Sequence, residues 1–574
     1  MTLRYTKPNG NLQSHKIGRV QPDETFCLFY PQPYLSLRSE EEIAEMELCS
    51  LFGVEIDFMQ RPVGIAIKKH LLRNIGRLTF WEKVEVLSDG LPKVMIPNQV
   101  LFEKSNYIVE SSKNIQTIDD LLRSIHRINL GHEKESRYLM HSLHSYKGKF
   151  HPQIVKGLIN AAGVAQGNVV LDPFCGCGTT NLECFFAGID SWGVDLNPLA
   201  CLIARTRITS LTLDASALLE TIKDFLSEVK TGIVELRKTT RKSSAGQTSI
   251  DFFRLKENAK DLEISKKPYI PNINRWFRED MLEELLLIRD RIDNVGNPET
   301  RDLFLVVLSS IVKEVSNWDS SQVRPYLMKK PRANVDVLSV FKENLLKTYN
   351  IIYTYSKLKE KLDLSSPSRE IRNEDSRDLH FIQDNSIDLV LTSPPYANAL
   401  PYLETDRLRS ILIGLFTWKE LKSLRSNEIG NREISPDLRK NLEQEFLDSC
   451  DHSFLPNDIV HIIKKILEEN RKLPNKNFRR KNRAALLYKY FKDMNACLGE
   501  IHRVLKPGKH CIIIIGNNRV RAGDTWIEIP TDSTIKEMAI RNFGFAMGKR
   551  IDKELVHTAH PRKIENETIT FLKK

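Results

Sequence analysis

Asn168-Val-Val-Leu-Asp172-Pro-Phe-Cys-Gly176-Cys-Gly178-Thr-Thr180 is the stretch on which the fold turns. An apolar run ends in an acid, breaks at Pro173 into a glycine turn, and resumes as a helix from Thr179 to Ala187. A second strand, Ser191-Trp-Gly-Val-Asp195, follows at once. Asn197-Pro198 then opens another helix with proline in its first turn. Strand, helix, strand, helix is the pattern of a parallel doubly wound sheet.

The pattern is interrupted and then returns. Residues 211–365 are dominated by leucine-rich amphipathic helices, such as Ala215–Leu236 and Val337–Leu362, and read as a helical insertion between the second and third strands. The sheet resumes in 366–404 with Arg369-Glu-Ile-Arg-Asn-Glu-Asp375 and the strand Ser386–Leu391. Residues 405–492 are again helical. They carry a basic cluster with no acid inside it, from Arg471 through Arg479, Arg480, Lys481 and Arg483 to Lys489. Residues 493–574 give helix Asn495–Val504, a buried strand Cys511–Ile515, and two strands near Met547–Ile551 and Glu567–Leu572. A closing hairpin is unusual for dinucleotide-binding sheets. Upstream, 136–210 carries a lead-in, a helix Gln153–Ala162 and the glycine turn. Residues 1–135 mix strand-like runs (Val63–Ile67, Lys93–Ile96) with turns, as an accessory α+β region.

The chain has 574 residues, 41% hydrophobic and 28% charged, which is ordinary globular material. Its net charge of +11 suits a polyanionic partner, or a merely basic protein. The nine cysteines form no framework, and Cys175-Gly-Cys177 is too tight for a zinc hairpin, so no metal site is expected. The cysteine usage, the absence of an apolar signal core after Met1, and the lack of any run of roughly 18 apolar residues predict a cytoplasmic protein without a membrane partner.

The glycines of the turn allow unusual φ and close approach of a ligand. Asn181 stands where a pyrophosphate fingerprint has its third glycine, and no Lys-Ser/Thr follows as in a P-loop. Asp195 ends the second strand, where an acid accepts hydrogen bonds from ribose hydroxyls. The site therefore suits a nucleoside without a long phosphate chain. S-adenosylmethionine answers that description; a purely structural turn is the alternative. Farther on, Thr392-Ser393-Pro394-Pro395-Tyr396 forms a rigid extended corner, since neither proline can donate a backbone hydrogen bond.

Together Asp172–Thr180, Gly193-Val-Asp195-Leu-Asn197-Pro198 and Thr392–Tyr396 resemble the amino-group DNA methyltransferases, which act on cytosine N4 or adenine N6. His144-Ser-Tyr-Lys-Gly-Lys149-Phe150-His-Pro152-Gln resembles that family's methionine-pocket motif. The resemblance implies a class I (Rossmann-like) α/β sheet with a C-terminal antiparallel hairpin, and S-adenosylmethionine as cofactor. It assigns the cofactor to Lys149, Phe150, Asp172, Pro173, Phe174, Gly176, Gly178, Asp195, Asn197 and Asp375, the last against the adenine. It assigns the chemistry to Ser393, Pro394, Pro395 and Tyr396. The Ser393 hydroxyl and the Pro394 carbonyl would accept the two N–H bonds of an exocyclic amine, and Tyr396 would stack on a base flipped out of the duplex. In-line displacement needs no covalent intermediate, so no cysteine is expected to be catalytic.

Ser393 at the head of the corner leans toward cytosine N4; adenine N6 is the alternative. A transfer-RNA guanine-N2 methyltransferase and a non-catalytic DNA-binding protein of the same fold are the other readings. Double-stranded DNA is the expected partner, with a cognate restriction endonuclease as a further one. Arg479, Arg480, Lys481 and Arg483 are the expected phosphate contacts.

Overall fold

The computed structural model describes residues 2–6, 12–16, 21–32, 37–54, 62–87, 93–111, 136–244, 267–319, 321–322, 324–332, 335–397, 401–449, 452–472, 478–556 and 564–574. Two compact units emerge, Met1–Tyr138 with His151–Ala165, and Leu139–Phe150 with Gln166–Lys574.

In the smaller unit, β1 (Thr2–Thr6) and β2 (Leu12–Lys16) pair as an antiparallel ribbon. A separate antiparallel sheet contains β3 (Glu24–Pro31), β4 (Val63–Lys68), β5 (Trp81–Leu87) and β6 (Lys93–Met95), in the order β4-β3-β5-β6. The expected runs at 63–67 and 93–96 fall in β4 and β6. Phe29 meets Phe52 and Trp81 edge-on at 5.5 and 5.6 Å, the favoured aromatic geometry. Helix Arg38–Phe52 packs on helix Pro152–Ala161. Gly157 permits that approach: a Cβ there would lie 2.6 Å from the Phe80 ring and 2.8 Å from Ile43. The sequence reading had grouped Pro152–Ala161 with the glycine-turn segment. It belongs to this unit instead, and because Pro152 to Asn160 are all buried, periodicity could not reveal what covers them.

The larger unit is built on a seven-stranded sheet. Its strands are β7 (Val169–Asp172), β8 (Asp190–Val194), β9 (Arg369–Arg372), β10 (Ile387–Thr392) and β11 (Leu505–Gly516), then, past a detached hairpin of β12 (Asn518–Ala522) and β13 (Thr525–Ile529), β14 (Ala546–Val556) and β15 (Ile564–Lys573). The order is β14-β15-β11-β10-β7-β8-β9, with β7 to β11 parallel and β15 antiparallel to both its neighbours. This is the class I methyltransferase sheet with its C-terminal antiparallel hairpin. From β7 the chain winds first to β8 and β9, then back across to β10 and β11. The crevice at the carboxyl ends of β7 and β10 is therefore the switch point at which ligands bind. Strand β10 is buried at every position, so its single acid, Asp388, is paired: it accepts from Val169 N–H at 3.0 Å and from Lys506 at 2.8 Å.

Helices fill the two long connections. Between β8 and β9 they include Ala215–Ser244, Glu279–Asp293, Pro298–Ile311 and Val337–Leu362. Between β10 and β11 they include Tyr402–Leu412, Trp418–Asn427, Asn457–Arg471 and Arg483–Val504, the last beginning well before the expected Asn495. The hairpin β12–β13 and helix Thr531–Phe543 were not anticipated. No helix among the described residues is long and apolar enough to cross a membrane.

Candidate active site

An open cleft lies at the switch point, where ligands of such sheets bind. It is walled by the glycine turn, the end of β8, the loop after β9 and the proline corner, with further residues from 402–403 and 427–429.

Asp172 organises the floor. Its Oδ1 accepts from the Thr392 hydroxyl at 2.6 Å and from Phe174 N–H at 3.1 Å, and its Oδ2 accepts from the Thr180 hydroxyl at 2.7 Å. One carboxylate thus ties the end of β7, the first turn of the following helix and the residue before the proline corner. Burial pushes its pKa up to about 6, against the pull of those three donors. Two glycines shape the turn. At Gly178 (φ +76°) a Cβ would lie 2.6 Å from Ala204 Cβ, and at Gly176 (φ +49°) it would lie 3.1 Å from the Tyr146 ring.

Asp195 faces the cleft. Its Oδ2 accepts from Gly176 N–H at 2.9 Å and its Oδ1 from Asn197 N–H at 2.8 Å. Burial raises its pKa to about 6. Asp375 lines the cleft and is gripped by Arg377, which also reaches Asp493 at 2.8 Å. Burial raises the Asp375 carboxyl, but its hydrogen bonds to Arg377 outweigh that and hold it below the usual carboxylate range. Ser376 donates to the Pro173 carbonyl, stitching this loop to the glycine turn.

The proline corner is braced from behind. The Tyr490 hydroxyl donates to the Pro395 carbonyl at 2.9 Å, and Asn518 Nδ2 donates to the Ala397 carbonyl. Ser393 lines the cleft, and among the described residues neither its hydroxyl nor the Pro394 carbonyl has a hydrogen-bond partner. The Tyr396 ring packs against the apolar core and its hydroxyl donates to Glu567, which Lys553 meets at 2.7 Å.

Three further cleft residues were not among the expected site residues, though Tyr146 lies within the expected methionine-pocket segment. Tyr146 and Tyr402 stack in parallel at 6.4 Å, and burial pushes the Tyr402 phenol up to about 12. Glu428 is only 6% exposed. It accepts from Leu403 N–H at 3.2 Å, and its Oε2 has no partner among the described residues. Burial foremost, with a smaller push from the Asp195 charge, raises its pKa to about 7.

The sequence agrees with this geometry. A family model for UPF0020, the RMKL-like methyltransferase domain, matches residues 143–282. The type II methyltransferase M.MvaI of Kocuria varians is 25% identical over 449 residues, covering 75% of this chain and 87% of its own length. M.BsoBI of Geobacillus stearothermophilus is 24% identical, covering 71% of this chain and 78% of its own. These matches support a DNA methyltransferase family and S-adenosylmethionine as the cofactor. Among solved structures, TrmN from Thermus thermophilus aligns over 96% of this chain and 99% of its own, at 10% identity and a TM-score of 0.29, which is too loose to argue from.

The cleft of this methyltransferase fits its cofactor. It offers carboxylates at Asp195, Asp375 and Glu428, an unpartnered oxygen on the last, a glycine cradle and stacked rings, as a nucleoside bearing a cationic amino-acid chain requires. Of the expected cofactor residues, Phe174, Gly176, Asp195, Asn197 and Asp375 line it, together with Ser393 and Pro395. The others do not. Asp172 and Gly178 act behind the turn, and the Pro173 carbonyl is taken by Ser376. Lys149 turns back to donate to the His141 carbonyl at 3.1 Å, and Phe150 lies off the wall. Pro394 is buried, and Tyr396 lies against the core. Both cysteines of the turn are buried, and contact with Cys201 and burial push the Cys175 thiol well above the ordinary range.

In the basic cluster Arg480 donates to the Gly523 carbonyl at 3.4 Å and Arg483 to the Arg521 carbonyl, while Lys481 is half-buried. The Arg479 side chain and Lys476 lie outside the described residues.

Proposed function

We propose that this enzyme methylates the exocyclic amine of a base flipped out of double-stranded DNA at a specific site, with cytosine N4 as the preferred acceptor. The observation that carries the reading is that Ser393, at the head of the proline corner, lines the same cleft as Asp195 and Asp375. Bound S-adenosylmethionine supplies an electrophilic methyl group. Asp195 and Asp375 would hold its ribose and adenine, and Glu428 would take a cationic donor on its amino-acid end.

The protein's share of the chemistry is positioning and charge stabilisation. The amine lone pair of a nucleobase is delocalised into the ring. The Ser393 hydroxyl oxygen lines the cleft without an internal partner, and motif position pairs it with the carbonyl of the buried Pro394 as acceptors that would take the two N–H bonds and draw the nitrogen toward tetrahedral geometry. The positive charge that develops on that nitrogen would then meet these two acceptors, on a corner whose Pro395 and Ala397 carbonyls Tyr490 and Asn518 brace from behind. Motif position gives the stacking role to Tyr396, but its ring packs against the core, and the aromatic rings that line the cleft include Tyr146 and Tyr402. Stacking offsets part of the unstacking cost, roughly 1–3 kcal/mol. The cluster of Arg479, Arg480, Lys481 and Arg483 would neutralise phosphates, and a cognate restriction endonuclease would share the recognition site.

Adenine N6 as acceptor, and guanine N2 in transfer RNA, are the competing outcomes. The test is incubation of the protein with methyl-labelled S-adenosylmethionine and either duplex DNA or bulk transfer RNA. Label in DNA, abolished in Ser393→Ala, is expected; label in transfer RNA alone would overturn the proposal.

A further inference from the structure

Immediately past β11 the chain forms the detached hairpin β12–β13, turned at Gly523-Asp524. Alternation divides it sharply. Val520, Ala522, Ile527 and Ile529 enter the core, while Arg519, Arg521, Trp526 and Glu528 take the opposite face. Trp526 is 60% exposed, more than any other tryptophan among the described residues, and the Arg519 guanidinium sits 5.0 Å over its ring. The indole face is thus presented to solvent beside a cation, on a hairpin whose other face is packed in the core, and is available for contact with a partner.

The hairpin is fixed to the catalytic corner at one end and to the basic cluster at the other. At its root, Asn518 Nδ2 donates to the carbonyl of Ala397, the residue after Tyr396. At its tip, Arg483 donates to the Arg521 carbonyl and Arg480 to the Gly523 carbonyl. Arg432, Arg480, Arg483 and Arg521 crowd together there: burial first, and then the charges of the other three, press the Arg483 guanidinium below its usual range. Acids are few: Asp524 pairs with Arg521 at 3.2 Å, Glu528 sits opposite Arg519, and Glu469 lies beside Gly523. Trp526 pairs across the hairpin with Arg521, three residues beyond Asn518, or roughly 10 Å along the strand. That reach is comparable to the depth of a DNA groove, about 8.5 Å.

We infer that the outward face of this hairpin grips duplex DNA beside the flipped base, Arg519 and Arg521 on phosphates and the Trp526 indole on an exposed base face. Flipping one nucleotide uncovers the π-faces of its neighbours, and an indole with a guanidinium already stacked on it suits such a surface. This rests on duplex DNA being the substrate.

The test is steady-state methyl transfer by the full-length enzyme into whole-genome-amplified bacterial DNA, which carries every short site unmethylated. KM for DNA is measured at several KCl concentrations, with cofactor affinity by calorimetry alongside. Arg519→Gln with Arg521→Gln should raise KM and reduce the slope of log KM against log salt by about 2, near 0.9 per lost phosphate contact. Trp526→Ala should raise KM roughly 10-fold with the slope unchanged, and Trp526→Phe should restore most of it. All three should bind S-adenosylmethionine as the wild type does, because these residues lie outside the cleft lining, and should melt close to it, because Arg519 and Trp526 are exposed and Arg521 is partly so. Wild-type KM and slope in every variant would overturn the inference and leave the DNA reading standing. A wild type that methylates transfer RNA and not this DNA would overturn both.

Discussion

Glu428→Gln should make the protein more stable and its cofactor binding worse, with both effects set by pH. The Glu428 carboxyl has its pKa raised from 4.5 to about 7, chiefly by burial. In the unfolded chain it ionises near 4.5. Between 4.5 and 7 the unfolded state gains from that ionisation while the folded state keeps its proton. Stability associated with this group is therefore complete below pH 4.5 and is lost as pH rises through 7. The loss at pH 8 is on the order of 3 kcal/mol. Glutamine keeps an acceptor for the Leu403 N–H and carries no charge to bury. The variant should therefore melt about 3 °C above the wild type at pH 8 for a unit of this size, with the gap closing by pH 5. Cofactor affinity should move the other way. The ionised fraction of a group with pKa 7 drops about tenfold between pH 8 and pH 6, so wild-type affinity for S-adenosylmethionine should fall with it. In Glu428→Gln that dependence should shrink to the part owed to Asp195, whose pKa is raised to about 6. Paired thermal melts and calorimetric titrations across pH 5 to 8.5 measure both. A stability gain equal at pH 5 and pH 8, or a variant that melts below the wild type at pH 8, would refute the reasoning.

Asp172→Ala removes the shared acceptor of Thr392, Thr180 and Phe174 N–H. It should cost about 3–5 kcal/mol and abolish S-adenosylmethionine binding, read by melting and calorimetry. Gly178→Ala forces a Cβ to 2.6 Å from Ala204 Cβ at a positive φ, and should lower stability by roughly 1–3 kcal/mol while Gly167→Ala, at an open site with φ +88°, costs less. Ser393→Ala should bind the cofactor normally yet transfer methyl groups about 10²–10³-fold more slowly, by analogy with loss of one oriented polar group in an active site.

Much of the fold could be read from residues because its signals are local. The apolar run into Asp172, the glycines at 176 and 178, and Asp195 at the next strand end each mark their own position, and they do line or support the cleft. The proline corner was equally plain. What escaped the sequence comes from chain topology. Tyr402 and Glu428 reach the cleft because the connection between β10 and β11 folds back over it, and no spacing encodes that return. One signal was present: Gly430, two residues on, has φ +76°, and a Cβ there would lie 3.0 Å from the Tyr396 carbonyl, so the chain must pass close at that point. The hairpin β12–β13 was also readable, as two alternating runs around a Gly-Asp turn, yet it stood in the shadow of the buried strand before it. Tyr396 ran the other way. Its motif position suggested a free ring, and the half-buried Glu567 supplied an acceptor for its hydroxyl away from the cleft wall.

The central claim, that the proline corner and the glycine turn form one site for amino methylation of DNA, meets its most direct test in nucleoside analysis. Unmethylated duplex DNA is incubated with S-adenosylmethionine and either the wild type or Ser393→Ala, digested to nucleosides, and examined by mass spectrometry. The account predicts N4-methyldeoxycytidine from the wild type and a loss of about two orders of magnitude in the rate of its formation with Ser393→Ala. N6-methyldeoxyadenosine in its place would contradict the assignment of the base, and equal methylation by both proteins would contradict the role of the corner itself.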